Sequence, residues 1–125
     1  MADLELRLSP RHDQSRELRD TVRAWCSNEG YPESYVDDVV LVASELFSNA
    51  VRATVSDSWI VAAVERRFDK ALVRMTNEGT GFDPDELVDP NVNIGGGRGI
   101  WLAKALGELG VTQRHTQTIV TVVLH

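Results

Sequence analysis

From Ser34 to about Val55 apolar residues return every three or four positions: Val36, Val39, Val40, Ala43, Leu46, Phe47, Ala50 and Val51. That is the period of one helix face, and so long a helix must bury that face against a broad partner layer. Ser34, with Asp37 three positions later, is the expected N-cap. Asp38, Glu45, Asn49 and Arg52 project to the opposite side. Glu45 and Asn49, four apart, place a carboxylate and a carboxamide one turn apart on the same face. A polar strip of this kind normally faces water. Leu41, Val42 and Leu46 surround Glu45, however, so its neighbourhood is less polar than a plain solvated face.

The partner layer is written on both sides of this stretch. Leu4-Glu5-Leu6-Arg7-Leu8 alternates with the two-residue period of a half-buried strand and stops at Ser9-Pro10. Leu18, Val22 and Trp25 mark an amphipathic helix from His12 to about Asn28, closed by Gly30 and Pro32. Residues 59–65 and 71–76 read as strands, with a hairpin turn inside Arg66 to Lys70. Residues 83–96, rich in Asp, Pro and Gly, read as a lid. A third helix is expected from Gly99 to Leu109, ended by Gly110, followed by a hairpin built on Val111 and Ile119 to Leu124 around Arg114 to Gln117. The chain has no internal repeat or low-complexity tract. This order predicts an α+β two-layer sandwich: a mainly antiparallel sheet of about five strands, covered on one face by three helices.

Composition excludes several classes. At 125 residues the chain is read as one domain, 1–125. It has no apolar run of membrane-spanning length, and Met1-Ala2-Asp3-Leu4-Glu5 lacks a signal peptide's basic and apolar regions, so a soluble cytoplasmic protein with no membrane contact is expected. The net charge of -6, with cations dispersed among acids, argues against direct nucleic-acid binding. Cys26 is the single cysteine, without an internal disulfide partner, and reads as a buried or partly buried free thiol. His12, His115 and His125 are scattered and suggest neither a metal site nor a triad. Trp25, Trp59 and Trp101 read as core or interface anchors rather than a base-stacking platform.

The glycines carry the remaining information. Gly79 and Gly81 bracket Thr80 at a strand end, where missing side chains permit a sharp turn or the close approach of a flat ring. Gly95, Gly96, Gly97 and Gly99 precede an apolar helix, and free amides at a helix N-terminus attract phosphate. Arg98 is the only cation between Arg74 and Lys104, amid several acids, and is a candidate phosphate contact. The pattern is neither a P-loop nor a dinucleotide fingerprint, since the former lacks its Lys and the latter fails at Leu102. An acidic chain that binds a polyanionic nucleotide must rely on such local devices.

Together these segments resemble a known superfamily. Glu45-Leu46-x-x-Asn49-Ala50 is similar to the N box of the GHKL ATPases, named for gyrase, the heat-shock chaperone, histidine kinases and a mismatch-repair protein. Asn77-x-Gly79-x-Gly81 resembles the first glycine box and Gly97-x-Gly99 the second, in the family's order and over nearly the whole chain. Little remains outside the nucleotide module, which makes the small bacterial anti-sigma-factor serine kinases the branch it resembles most.

The resemblance implies the GHKL fold, ATP as the nucleotide, and Mg²⁺ held by the side-chain oxygen of Asn49, a suitable hard ligand. Glu45 would be the catalytic residue, acting as general base or orienting the attacking hydroxyl. Asn77, Gly79, Gly81, Gly97, Arg98 and Gly99 would bind the nucleotide with Asn49. Asn77 departs from the family's usual Asp, which implies weaker or less selective adenine recognition, because its amide can also donate to a guanine carbonyl. The implied partners are a sigma factor and an antagonist of the STAS fold, phosphorylated on Ser or Thr, with a possible homodimer through the first helix or the sheet. A catalytically silent interaction module is the alternative, kept open by Asn77 and by Arg52-Ala53-Thr54 where many kinase relatives have a His. A detached ATP-binding domain serving a separate sensor or phosphatase is a third.

Overall fold

The computed structural model describes residues 3–54, 58–79 and 97–125, with the backbone alone described for 97–100. The expected alternation forms strand β1, Leu4–Leu8. A 3₁₀ turn, His12–Gln14, leads into helix α1, Ser15–Asn28. Gly30, at φ +87°, lets α1 end in two overlapping bonds, from Gly30 N–H to the Ser27 carbonyl and from Tyr31 N–H to the Cys26 carbonyl. Helix α2, Glu33–Ala53, starts one residue before the expected cap. Pro32 closes the first turn instead, its carbonyl accepting from Val36 N–H at 2.9 Å, so Ser34 lies inside the helix.

Strands β2 (Ile60–Arg67) and β3 (Lys70–Glu78) form the expected hairpin. Helix α3, Gly97–Leu106, both starts and stops before the expected Gly99 to Leu109. Strand β4, Gly107–Arg114, claims the difference and pairs with β5, Gln117–Leu124. Gly110, expected as the helix stop, sits within β4 opposite Thr121. Gly107, Leu109 and Val111 turn inward while Glu108, Gly110 and Thr112 are exposed, and this two-residue period overrides helix propensity because β5 offers a full pairing edge.

The sheet runs β1-β2-β3-β5-β4, antiparallel throughout. Its register lines up one inward row of Leu6, Ala62, Met75, Val120 and Val111, and a second of Leu4, Val64, Val73, Val122 and Leu109. All three helices lie on that face. α2 is central, packing on α1, α3, β2, β3 and β5, so it is buried well beyond one stripe, with Val42 as closed off as Phe47. α1 contributes Leu18, Val22 and Cys26, each at 0% exposure. Its apolar face is therefore consumed within the chain and is not the dimer surface the sequence allowed. Of the tryptophans, Trp25 packs against the core, whereas Trp59 and Trp101 are largely exposed and are not core anchors.

Tyr31 and Tyr35 tie the helices to one end of the sheet. Tyr31 donates to the Lys70 carbonyl, and Tyr35 donates to the Leu124 carbonyl while accepting from Ala71 N–H. The other end of the sheet carries the polar groups.

Candidate functional site

Alternation along β3 puts Asn77 on the same inward face as Val73 and Met75, under the last turns of α2. There the apolar row runs out. Asn49, Asn77 and Thr118 are the buried polar residues among those described, at 8%, 4% and 1% exposure, and Asn77 and Thr118 are direct partners across β3 and β5. A narrow cleft is lined by Leu46, Asn49, Ala50 and Ala53 of α2, Met75 and Asn77 of β3, and Val120 of β5. Two residues 28 positions apart in the chain, both singled out from sequence, thus share one hollow.

Their hydrogen bonding sets them apart from an ordinary core. Thr118 Oγ1 is satisfied, 3.0 Å from the Gly79 carbonyl and 3.1 Å from Gln113 Oε1. Asn49 Nδ2 and Asn77 Nδ2 are buried with no partner among the described residues. A buried unpaired donor costs about 1–3 kcal/mol, so these two amides set the cleft apart from the apolar core around it.

The oxygen of Asn49 is already engaged. Arg52 Nη2 donates to Asn49 Oδ1 at 2.6 Å while Nη1 donates to Ser48 Oγ at 3.2 Å. A guanidinium has donors only, so the atom it meets must be the amide oxygen and the unpaired atom must be the nitrogen. The expected Mg²⁺ ligand is therefore not offered to a cation in this arrangement. The amide presents N–H, which cannot ligate a metal, and a guanidinium beside its oxygen repels one.

Asn49 also corrects the expected polar strip, since it is buried over the sheet while Arg52 is exposed and Asp38 and Glu45 are partly buried. Glu45 is one turn from Asn49, about 6 Å along the axis, and does not line the cleft itself. It makes no ion pair among the described residues. Gly79 adjoins Asn77, where a Cβ would collide with the Ala53 carbonyl at the end of α2, so its small size is required by the protein's own packing. Gly97, Arg98 and Gly99 form the first turn of α3. The Arg98 side chain, Gly81 and the lid at 83–96 lie outside the described residues. Sequence reading missed Thr118 and Gln113, whose link to Gly79 depends on strand register, and it noted Arg52 without seeing its bond to Asn49. The three-residue spacing on one helix was the available signal for that bond.

An open antiparallel sheet with helices on one face, and a mostly apolar cleft carrying two buried amides between the central helix and the middle strands, places the chain in an α+β class of folds. The sequence profile of the histidine kinase-like ATPase domain matches residues 8–124, and the chain belongs to that family. Among solved structures it is similar to the RsbU and RsbW domains of Rv1364c from Mycobacterium tuberculosis, at 22% identity and a TM-score of 0.77, over 100% of this chain and 32% of that one. It is also similar to the blue-light activated histidine kinase of Erythrobacter litoralis, at 27% identity and a TM-score of 0.55, over 74% of this chain and 31% of that one. A third similar structure, the histidine kinase AdeS of Acinetobacter baumannii, is 16% identical with a TM-score of 0.53, covering 71% and 46%. The chain thus spans less than half the length of each. No curated protein matches at a significant level. No helix among the described residues is long and apolar enough to cross a membrane.

Proposed function

We propose that this chain is an ATP-dependent protein kinase of the anti-sigma-factor type, which phosphorylates Ser or Thr on a STAS-fold antagonist and otherwise sequesters a sigma factor. One observation carries the nucleotide reading: Asn49 and Asn77 share a cleft, each with a buried amide nitrogen lacking a partner among the described residues. ATP is rich in the acceptors those donors need, from ring nitrogens to phosphate oxygens. The RsbW domain in a structurally similar protein supports the anti-sigma branch.

In this reading Glu45 takes the proton of the acceptor hydroxyl as that oxygen bonds to the γ-phosphorus, and the bond to the β-γ bridging oxygen breaks to release ADP. Gly97, Arg98 and Gly99 contribute helix-terminal amides and a cation toward the phosphates. The unit is a single domain, 1–125, acting in the cytoplasm.

A silent interaction module is the second reading, favoured by the Arg52 hold on Asn49. Labelled ATP incubated with candidate antagonists separates the two. Glu45→Ala is expected to cut phosphoryl transfer by about 100-fold or more while ATP affinity, read by calorimetry, stays within a factor of about 3. Full transfer by Glu45→Ala removes the assignment of Glu45, and no transfer by the wild-type chain to any antagonist favours the silent module.

A further inference from the structure

We infer that Arg52 stands in for a divalent cation at Asn49, so that this chain binds a nucleoside triphosphate with little dependence on Mg²⁺. The inference rests on the nucleotide reading above. Its basis is the 2.6 Å bond from Arg52 Nη2 to Asn49 Oδ1, reinforced by the second guanidinium contact to Ser48 Oγ at 3.2 Å. Both bonds follow from spacings of three and four on α2, which bring the side chains together on adjacent turns.

Three consequences follow from the chemistry. The amide oxygen, the group a hard cation would seek, is taken by a fixed positive charge. An amide oxygen has a second lone pair, but a divalent ion placed there would lie within a few ångströms of the guanidinium and be repelled. The bond also fixes the amide's orientation, leaving Asn49 Nδ2 buried and without a partner among the described residues, in a side chain that lines the cleft. A nitrogen donor bonds a phosphate or ring acceptor directly, where an oxygen would need an intervening cation. Asn49 thus serves as a specificity-determining donor, and Arg52 is the positioning residue that makes it one.

The test is calorimetric titration of ATP into the full chain, in excess Mg²⁺ and in EDTA, for the wild type and for Arg52→Met, which keeps an apolar stem at an exposed position. The wild-type Kd should differ by less than about 3-fold between the two buffers, whereas Arg52→Met should bind at least about 10-fold more weakly in EDTA than in Mg²⁺. A wild-type loss in EDTA as large as that of Arg52→Met overturns the inference and leaves the nucleotide reading standing. Failure of the wild type to bind in either buffer overturns both. A nucleotide-free arm reads the bond itself: thermal midpoints of Arg52→Met, Asn49→Ala and the double variant should be non-additive. Additive shifts would mean that Arg52 does not hold Asn49, which also overturns the inference.

Discussion

At the scale of single residues, burial and partner count distinguish groups that look alike in sequence. Cys26 is fully enclosed, and burial pushes its thiol up to about 11, with Arg23 opposing and Glu29 adding to the shift. The thiolate is the reactive form, so the native chain should resist iodoacetamide at pH 8 and react fully once unfolded in urea, as read by mass spectrometry. The sign of the pH effect follows from the raised value. The native state favours the neutral thiol, so its contribution is intact below the ordinary pKa of 9.0 and is lost as the pH rises through about 11. Asn49 and Asn77 are the contrasting case. Burial leaves their donors unpaired among the described residues, and a sequence can name the residue but not count its bonds.

At the scale of elements, the two hairpins hold the sheet in register through tight turns. Arg67 pairs with Lys70 and Arg114 with Gln117, leaving Phe68 and Asp69, and His115 and Thr116, as the connections. Phe68 and His115 sit at φ 59° and 55°, in the left-handed region, and Phe68 is 96% exposed. An exposed aromatic there gains no packing and carries the strain of a Cβ near the following carbonyl. With positive φ at the first connecting residue alone, the turn favours glycine there, so Phe68→Gly should raise stability by about 1 kcal/mol in urea denaturation. The hairpins were legible because apolar strand runs are separated by short charged and polar stretches, Arg66 to Lys70 and Arg114 to Gln117. The junction of α3 and β4 was not, because Gly107 to Leu109 satisfy a helical and a two-residue period almost equally, and only the edge offered by β5 decides between them.

At the scale of the whole molecule, one face of the sheet holds the core, while the other carries Glu65 and Arg74 on neighbouring strands. Arg74 donates to Glu65 at 2.7 Å, with Arg67 at 3.5 Å. Burial alone would raise the Glu65 carboxyl, but the Arg74 hydrogen bond and charge, aided by Arg67, hold it below the ordinary carboxylate value. A lowered native pKa contributes stability above the unfolded value that is lost as the pH falls through the native one. Acid unfolding of Arg74→Met should accordingly show less loss of stability below about pH 4 than the wild type, and an unchanged pH profile would remove the pair as a contributor.

The fold class, the antiparallel hairpins, the long central helix and the residues at its polar end were all determined by the sequence, because periodicity and turn chemistry are local properties of the chain. Tertiary structure alone decided that Asn49 faces the sheet and not the solvent, that Thr118 stands opposite Asn77, and that Gly79 is small to admit the Ala53 carbonyl. These depend on register and on how α2 crosses the strands. The hold of Arg52 on the Asn49 oxygen lies between the two: spacing permits it, but only burial leaves the amide with a single free end.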